Sequence, residues 1–226
     1  ERERGARFAS VQVHHRKNEG FGAGHDFAIR RSSDEFVLVS NVDLEFRRDT
    51  LSRLLRAAMA DAADVGCWEV RQCPYEHPKY YDPVTLEAPW ASHACVLLRR
   101  SAYERVGGYE RRIFMYGEDV ELSYRLRGNG FRLRYLPQVA VTHFVDLTDA
   151  SLRPQQLTGS LSANVLLRHR YGGAAAGAEG EALLAAAMQA ESEPARVKAF
   201  AAAAERIERD RDHFAAVHRP AIEAPF

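Results

Sequence analysis

The scarcities of this sequence are informative first. Only three cysteines occur in 226 residues, Cys67, Cys73 and Cys95. They are odd in number and lack the repeated paired spacing of a zinc site, so the sequence offers no disulfide framework and no structural zinc and fits a reducing compartment. Excess charge is missing as well. With 31 basic and 31 acidic residues there is no global field to hold nucleic acid or an anionic membrane, and an anionic ligand must be met by local arrangement. Nucleic acid is therefore not an expected partner. No apolar run approaches the roughly 20 residues of a membrane span, and the opening Glu-Arg-Glu-Arg is the opposite of a signal peptide. The expectation is a soluble, cytoplasmic protein. No internal repeat is evident. The length suits one catalytic domain, or one domain plus a helical appendage, with a core able to sustain an enzyme site.

What is present reads as alternating strands and helices. Residues 8–14, "FASVQVH", alternate like a short strand, and "NEGFGAGHDFAIRRSS" leads through a glycine-rich turn into a helix that includes Phe27 and Ile29. "EFVLVSNVDLEF" is an apolar strand of the kind buried in a parallel sheet, ending in the polar Asn41 and Asp43. "DTLSRLLRAAMADAA", with Asp49 or Thr50 as N-cap and leucines at 51, 54 and 55, predicts an amphipathic helix, and "VGCWEV" a returning strand. The proline- and aromatic-rich stretch from Gln72 to Pro89 predicts a long irregular loop, a candidate lid. "ACVLLRR" resumes strand character, and "SAYERVGGY" predicts a short helix closed by Gly107 and Gly108. A further helix is expected from about Glu118 to Asn129, then the strands "FRLRYLP" and "VAVTHF". From Ser151 the texture turns helical, with an alanine-rich stretch over 179–217 interrupted near Pro194. This divides the chain into a mixed α/β domain over 1–150 and a C-terminal helical extension over 151–226.

Three constellations could carry chemistry. Asn41 and Asp43, two apart at a strand end, point the same way if the extended conformation persists, and one amide with one carboxylate could hold Mg²⁺ or Mn²⁺ beside a diphosphate; the plain alternative is a polar turn. Glu118 and Asp119 open a helix, where the macrodipole alone favours acidic residues, but the aromatic approach of Phe114 and Tyr116 could desolvate a carboxylate into a general base. His143 ends another strand, as a polar terminus, a metal ligand or a phosphate contact. Trp90, Ser92 and His93 could line a sugar pocket through stacking and hydroxyl contacts. Asn18, Gly20, Gly22 and Gly24 form a loop where backbone could approach a phosphate or ribose, although the spacing is not the dinucleotide fingerprint.

The order of these segments resembles the family 2 glycosyltransferases, whose nucleotide-diphospho-sugar transferase domain has the fold called GT-A. The resemblance covers residues 8–172. "NEGFGAGHDFAI" is similar to the family's N-x-G-(x)-A-G-x-N segment, with His25-Asp26 in place of the usual asparagine. Asn41-Val42-Asp43 resembles the D-x-D-type strand end. "ASHACVLLRRSAYERVGGYERRIFMYGEDVELSYRLRGNGFRLRYLP" resembles the acceptor-side block with its "GGY/F" turn, "ED" pair and "G-x-R-x-x-Y-x-P" strand. "VAVTHF" resembles the strand of the family's late histidine, and "SANVLLRHRYG" its "RN" helix. The resemblance implies a GT-A-like mixed, mostly parallel sheet flanked by helices. It also implies an inverting transfer of a sugar from a nucleotide-diphosphate donor to an acceptor hydroxyl, in cell-surface polysaccharide or glycolipid synthesis. In that reading Asp43, helped by Asn41 and His143, holds Mg²⁺ or Mn²⁺. Asp119 is the base, Glu118 orients acceptor or base, Asn18, Gly20 and Asn41 contact the donor, and Trp90, Ser92 and His93 line the donor-sugar or acceptor pocket.

The family's opening strand, helix and acidic strand end have no counterpart before Ser10, so some 80–100 residues that grip the nucleotide are expected to lie outside this chain. Either the protein is longer or that half was lost or comes from another chain. A sheet without those strands would expose an edge suited to homo-oligomer formation or to a partner. A lipid-linked acceptor would put the protein at the inner membrane face, while the mixed charges of the C-terminal helices favour protein contact over lipid. The competing reading is a non-catalytic carbohydrate-binding or scaffold remnant of a transferase. A nucleotidyltransferase of similar fold would need a basic glycine-rich signature near its start, which is not seen.

Overall fold

The computed structural model describes residues 12–77, 79–144 and 153–217. The expected strand at 8–14 and the expected boundary at 150 fall largely outside the described residues, and residues 12–14 are exposed with no regular structure. The described elements are α1 (Phe21–Ile29), β1 (Phe36–Ser40), β2 (Leu44–Phe46), α2 (Thr50–Ala60), β3 (Val65–Cys73), β4 (Cys95–Arg99), α3 (Arg100–Val106), α4 (Glu118–Gly128), β5 (Arg132–His143), α5 (Pro154–Leu167), α6 (Gly173–Ala190) and α7 (Pro194–Ala216), with a π-helical turn at Arg168–Gly172 joining α5 to α6.

The five strands form one mixed sheet in the order β1-β4-β3-β5-β2. β1, β3 and β5 run the same way, but β4 lies antiparallel between β1 and β3, and β2 lies antiparallel on β5, so β3–β5 is the one parallel pair among the described strands. The expectation of a mostly parallel sheet is corrected in this respect. No helix crosses between β3 and β4, and a chain returning through an irregular loop comes back antiparallel. The expected strands "FRLRYLP" and "VAVTHF" are one strand, β5. It passes through Pro137 because the pairing shifts between Val70 and Arg71, whose partners are Leu136 and Ala140; such an irregularity accommodates a residue that cannot donate to the ladder.

Helices cover both faces of the sheet. On one face Ile29 of α1, Ala102 and Tyr103 of α3, and Leu122 and Leu126 of α4 pack on Val39, Cys67, Val96, Leu98 and Leu133. On the other, α2 applies Leu54 and Ala58 to Trp68, Val70, Leu97 and Val141. The buried stripe of α2 is Thr50, Leu54 and Ala58, one residue per turn, while Leu51 and Leu55, expected in the core, are exposed. The irregular segment after β3 is tied down in its second half, where Ala88 N–H donates to Leu133 O at 3.1 Å and Tyr135 N–H to Leu86 O at 2.8 Å.

A third cluster joins α4 to the C-terminal helices through Ile113, Tyr124, Leu166, Tyr171, Phe200 and Phe214. At its centre Glu121 of α4 is fully buried. Its carboxylate accepts from Arg125 Nε at 2.9 and 2.7 Å, from Arg170 Nη1 at 2.8 Å and from Tyr171 Oη at 3.0 Å. Arg170 and Tyr171 are set by the π-helical turn, which rotates successive side chains inward. Removing one partner of a buried ionic network leaves the others as uncompensated charges. Glu121→Ala is therefore expected to lower the unfolding free energy by about 3–5 kcal/mol in a urea titration; a loss below ~1 kcal/mol, the range of exposed pairs, would show that the network is solvated.

Candidate active site

The site is built from the ends of three strands and the start of one helix. Asn41 follows β1, and its N–H donates to Ala94 O at 2.8 Å. Asp43 precedes β2, whose Leu44 pairs with His143 at the end of β5. That pairing puts His143 Nε2 at 3.4 Å from Asp43 Oδ1. The other ring nitrogen, Nδ1, is 2.8 Å from Oε1 of Gln72 on β3, and Gln72 Nε2 donates to Ser92 Oγ at 3.2 Å. A chain of polar contacts thus runs from the strand-end carboxylate into the segment before β4. Among the described residues no three His, Cys, Asp or Glu side chains converge on one point. Asp43 and His143 come together, and the structure gives Asn41 no side-chain contact with them.

The acidic pair sits at the N-terminus of α4. Tyr116 and Gly117 both take positive φ, 69° and 98°, and this turn swings the chain onto the helix. A side chain at Gly117 would put its Cβ 2.4 Å from Ala163 Cβ, so α5 leaves room only for glycine. Glu118 is 5% exposed, and its Oε2 is buried with no hydrogen-bond partner. Burial, and then the charge of Asp119, push its carboxyl up to about 8. Asp119 accepts from Val120 N–H at 2.8 Å. Burial raises its pKa, opposed by the N–H groups of Val120 and His93 and by the charges of His77 and Lys79.

Between these two halves lie residues that the sequence patterns did not single out. Glu69 of β3 is buried and ion-paired with Lys79, whose ammonium lies 4.1 Å from the Trp90 ring centre. Burial pushes Glu69 up to about 7 against the pull of Lys79. The charges of Asp119 and His143 both reach His77, which links the strand-end pair and the helix-end pair electrostatically. Glu69 and Gln72 carried a usable signal, since each is a polar residue inside an otherwise apolar strand, where burial demands a partner.

The remaining expected residues occupy less open positions. Trp90 is half-buried, edge-on to His77 with ring centres 5.8 Å apart. Ser92 and His93 are buried, with the Ser92 hydroxyl engaged by Gln72 and His93 Nδ1 by Tyr109 Oη at 2.7 Å. Their side chains therefore face inward, while the Ser92 and His93 backbone N–H groups act electrostatically on Glu69 and Asp119. Asn18 Oδ1 accepts from Gly20 N–H at 3.0 Å, and Phe21 N–H donates to Phe114 O at 2.8 Å. A Cβ at Gly20 would fall 2.3 Å from that carbonyl oxygen, so this glycine is required for α1 to dock beside the acidic turn. Asp26 is buried, and it holds the Gly107-Gly108-Tyr109 turn by accepting from Tyr103 Oη and from Tyr109 N–H.

A mixed sheet flanked by helices is the architecture of the GT-A fold. Residues 9–107 match the family model described as glycosyl transferase family 2. Over 62 residues it is 44% identical to N-acetylglucosaminyl-diphospho-decaprenol L-rhamnosyltransferase of Mycobacterium tuberculosis, an alignment that covers 27% of this chain and 20% of that enzyme. Over 163 residues it is 25% identical to rhamnosyltransferase WbbL of Escherichia coli strain K12, covering 55% of this chain and 61% of WbbL. The chain thus spans less than two thirds of either relative. Its fold is similar to that of GalNAc-T7, solved with UDP, GalNAc and Mn²⁺, with a TM-score of 0.53 and 13% identity over 68% of this chain and 35% of that one.

A carboxyl whose pKa is higher folded than unfolded keeps its proton in the native state, so stability declines as pH rises from the ordinary glutamate value of 4.5 towards about 8. Glu118→Gln is expected to flatten that decline. The variant should melt at a higher temperature than the parent chain at pH 8 and at a similar one near pH 4.5. Parallel pH profiles for the two proteins would show that Glu118 is ionised and solvated.

Proposed function

We propose that the chain carries the catalytic part of an inverting glycosyltransferase. It would move a sugar from a nucleotide-diphosphate donor to an acceptor hydroxyl in the synthesis of a cell-surface polysaccharide or glycolipid. The observation that carries this reading is the Asp43–His143 contact at the strand ends, 3.4 Å, with His77 in electrostatic reach of both His143 and Asp119. Asp43 and His143 supply one carboxylate oxygen and one imidazole nitrogen, a donor pair that suits Mg²⁺ or Mn²⁺ and leaves positions for a diphosphate. They are the residues that would hold the ion; when bound, it neutralises charge on the departing diphosphate.

The chain's own groups supply the rest. The acceptor hydroxyl attacks the anomeric carbon as the carbon–oxygen bond to the diphosphate breaks, and Asp119 takes the hydroxyl proton. The Val120 N–H fixes the Asp119 carboxylate at 2.8 Å, and a base that acts as the hydroxyl becomes acidic in the transition state needs no pKa near 7. Glu118, protonated near neutrality, can donate to the acceptor through the oxygen that has no protein partner. Trp90 offers a sugar-stacking face beside Lys79. The two relatives described above are named as rhamnosyltransferases, and the name of the mycobacterial one gives a diphospho-decaprenol-linked sugar as its acceptor, which supports a lipid-diphosphate acceptor here. A binding remnant has no use for an unpaired buried carboxylate, which costs stability to keep.

Two measurements test the proposal. Mn²⁺-dependent binding of UDP- and dTDP-sugars is expected for a protein that also carries the nucleotide-gripping segment, and is expected to be lost in its Asp43→Asn variant; metal-independent binding would remove the strand-end pair from the donor site. In transfer assays on the active protein, Asp119→Asn should cut kcat by about 10²–10⁴ while the donor Kd stays unchanged. Retained turnover would remove Asp119 from the role of base.

A further inference from the structure

We propose that Gln72 is a positioning residue that fixes the tautomer of His143, with the proton on Nδ1 and the Nε2 lone pair turned towards Asp43. Gln72 is 3% exposed, so both ends of its amide need partners. They find two. Oε1 lies 2.8 Å from His143 Nδ1, and Nε2 donates to Ser92 Oγ at 3.2 Å. The parallel pairing of β3 with β5, which sets Gln72 opposite Val141, is what brings the amide to the histidine two residues on.

With Oε1 facing the ring, Nδ1 must be the donor, and a neutral imidazole then presents a bare lone pair at Nε2. That lone pair faces Asp43 Oδ1 at 3.4 Å. The reversed amide would make Nε2–H the donor to Asp43, yet 3.4 Å is long for a charge-assisted N–H···O⁻ bond, which settles at about 2.7–2.9 Å. Two acceptors facing each other are suited to a cation, and a hydrogen bond from the far ring nitrogen to an amide oxygen is the usual way a ligating histidine is oriented. The contact from Gln72 to Ser92 ties this orientation to the segment that precedes β4. The metal role of His143 rests on the proposed function; its tautomer does not.

The test uses the 226-residue chain labelled with ¹⁵N-histidine and free of metal, with the His143 signals assigned by their loss in His143→Ala. At a pH where the ring is neutral, two-bond ¹⁵N–¹H correlation should show His143 Nδ1 as the protonated nitrogen and Nε2 as the bare one. Gln72→Leu should shift the ring towards the Nε2–H form and weaken Mn²⁺ binding, read by electron paramagnetic resonance, by about 10–100-fold. Gln72→Glu keeps an acceptor oxygen and should retain the parent tautomer and most of the Mn²⁺ affinity, which separates orientation from simple loss of packing. Protonated Nε2 in the parent chain, or an unchanged tautomer in a folded Gln72→Leu, would overturn the inference. If His143→Ala bound Mn²⁺ as tightly as the parent while the tautomer result held, the metal reading would fail and the role of Gln72 in orienting the ring would stand.

Discussion

The arrangement depends on one fully buried carboxylate. Glu121 draws Arg125, Arg170 and Tyr171 into the interior, and in doing so clamps α4 between the sheet and the C-terminal helices. Glu118 and Asp119 open the same helix, so their position relative to the strand ends is set by a network that touches neither of them. Desolvating such a group is costly unless every neighbour is matched. The chain offsets much of that cost with two guanidinium groups, a phenol and a π-helical turn that aims two of the three inward, although Arg170 Nε has no hydrogen-bond partner. The helical region after residue 153 is thereby part of what holds the site, since it supplies Arg170, Tyr171 and the close contact of Ala163 with Gly117.

Against that fixed helix, the site sets polar groups that are matched beside others that are not. Glu69 has Lys79, Asp26 has Tyr103 and the Tyr109 backbone, and Gln72 has His143 and Ser92. Glu118 Oε2 and His93 Nε2 have no protein partner. Buried polar atoms left open cost free energy, and sites that bind polar substrates are where such a cost is retained. In the proposed reading Asp43 and His143 form one wall of the site and the acidic pair the other, so that charge would be stabilised at one wall and a proton taken at the opposite one.

Much of this was legible in the sequence where local chemistry decides the outcome. Gly117 and Gly130 bracket α4, Gly107 closes α3 with φ of 88°, and Pro194 starts α7 after a break; each is a backbone constraint that a single residue announces. The strand-end Asn41 and Asp43 and the pair at 118–119 stood out for the same reason, as polar groups where a buried element stops. Features that depend on pairing between distant strands were not legible. Gln72 and His143 are 71 residues apart and meet only because β3 and β5 run parallel in one register. The direction of β4, the passage of β5 through Pro137 and the outward turn of Leu51 and Leu55 have the same origin, because neighbours in the sheet override local propensity. Ser92 and His93 were read as pocket-lining from their side-chain chemistry, whereas the fold buries those side chains against Gln72 and Tyr109.

The claim on which the account stands is that the strand-end pair and Asp119 face the same space. Paramagnetic broadening by Mn²⁺ measures this directly, because it falls steeply with distance from the ion. On titrating the chain with Mn²⁺, the signals of the His143 and His77 rings and of the Asp119 and Val120 amides should broaden together, ahead of those from α2. Broadening confined to His143 and its strand, with the start of α4 untouched, would contradict the account.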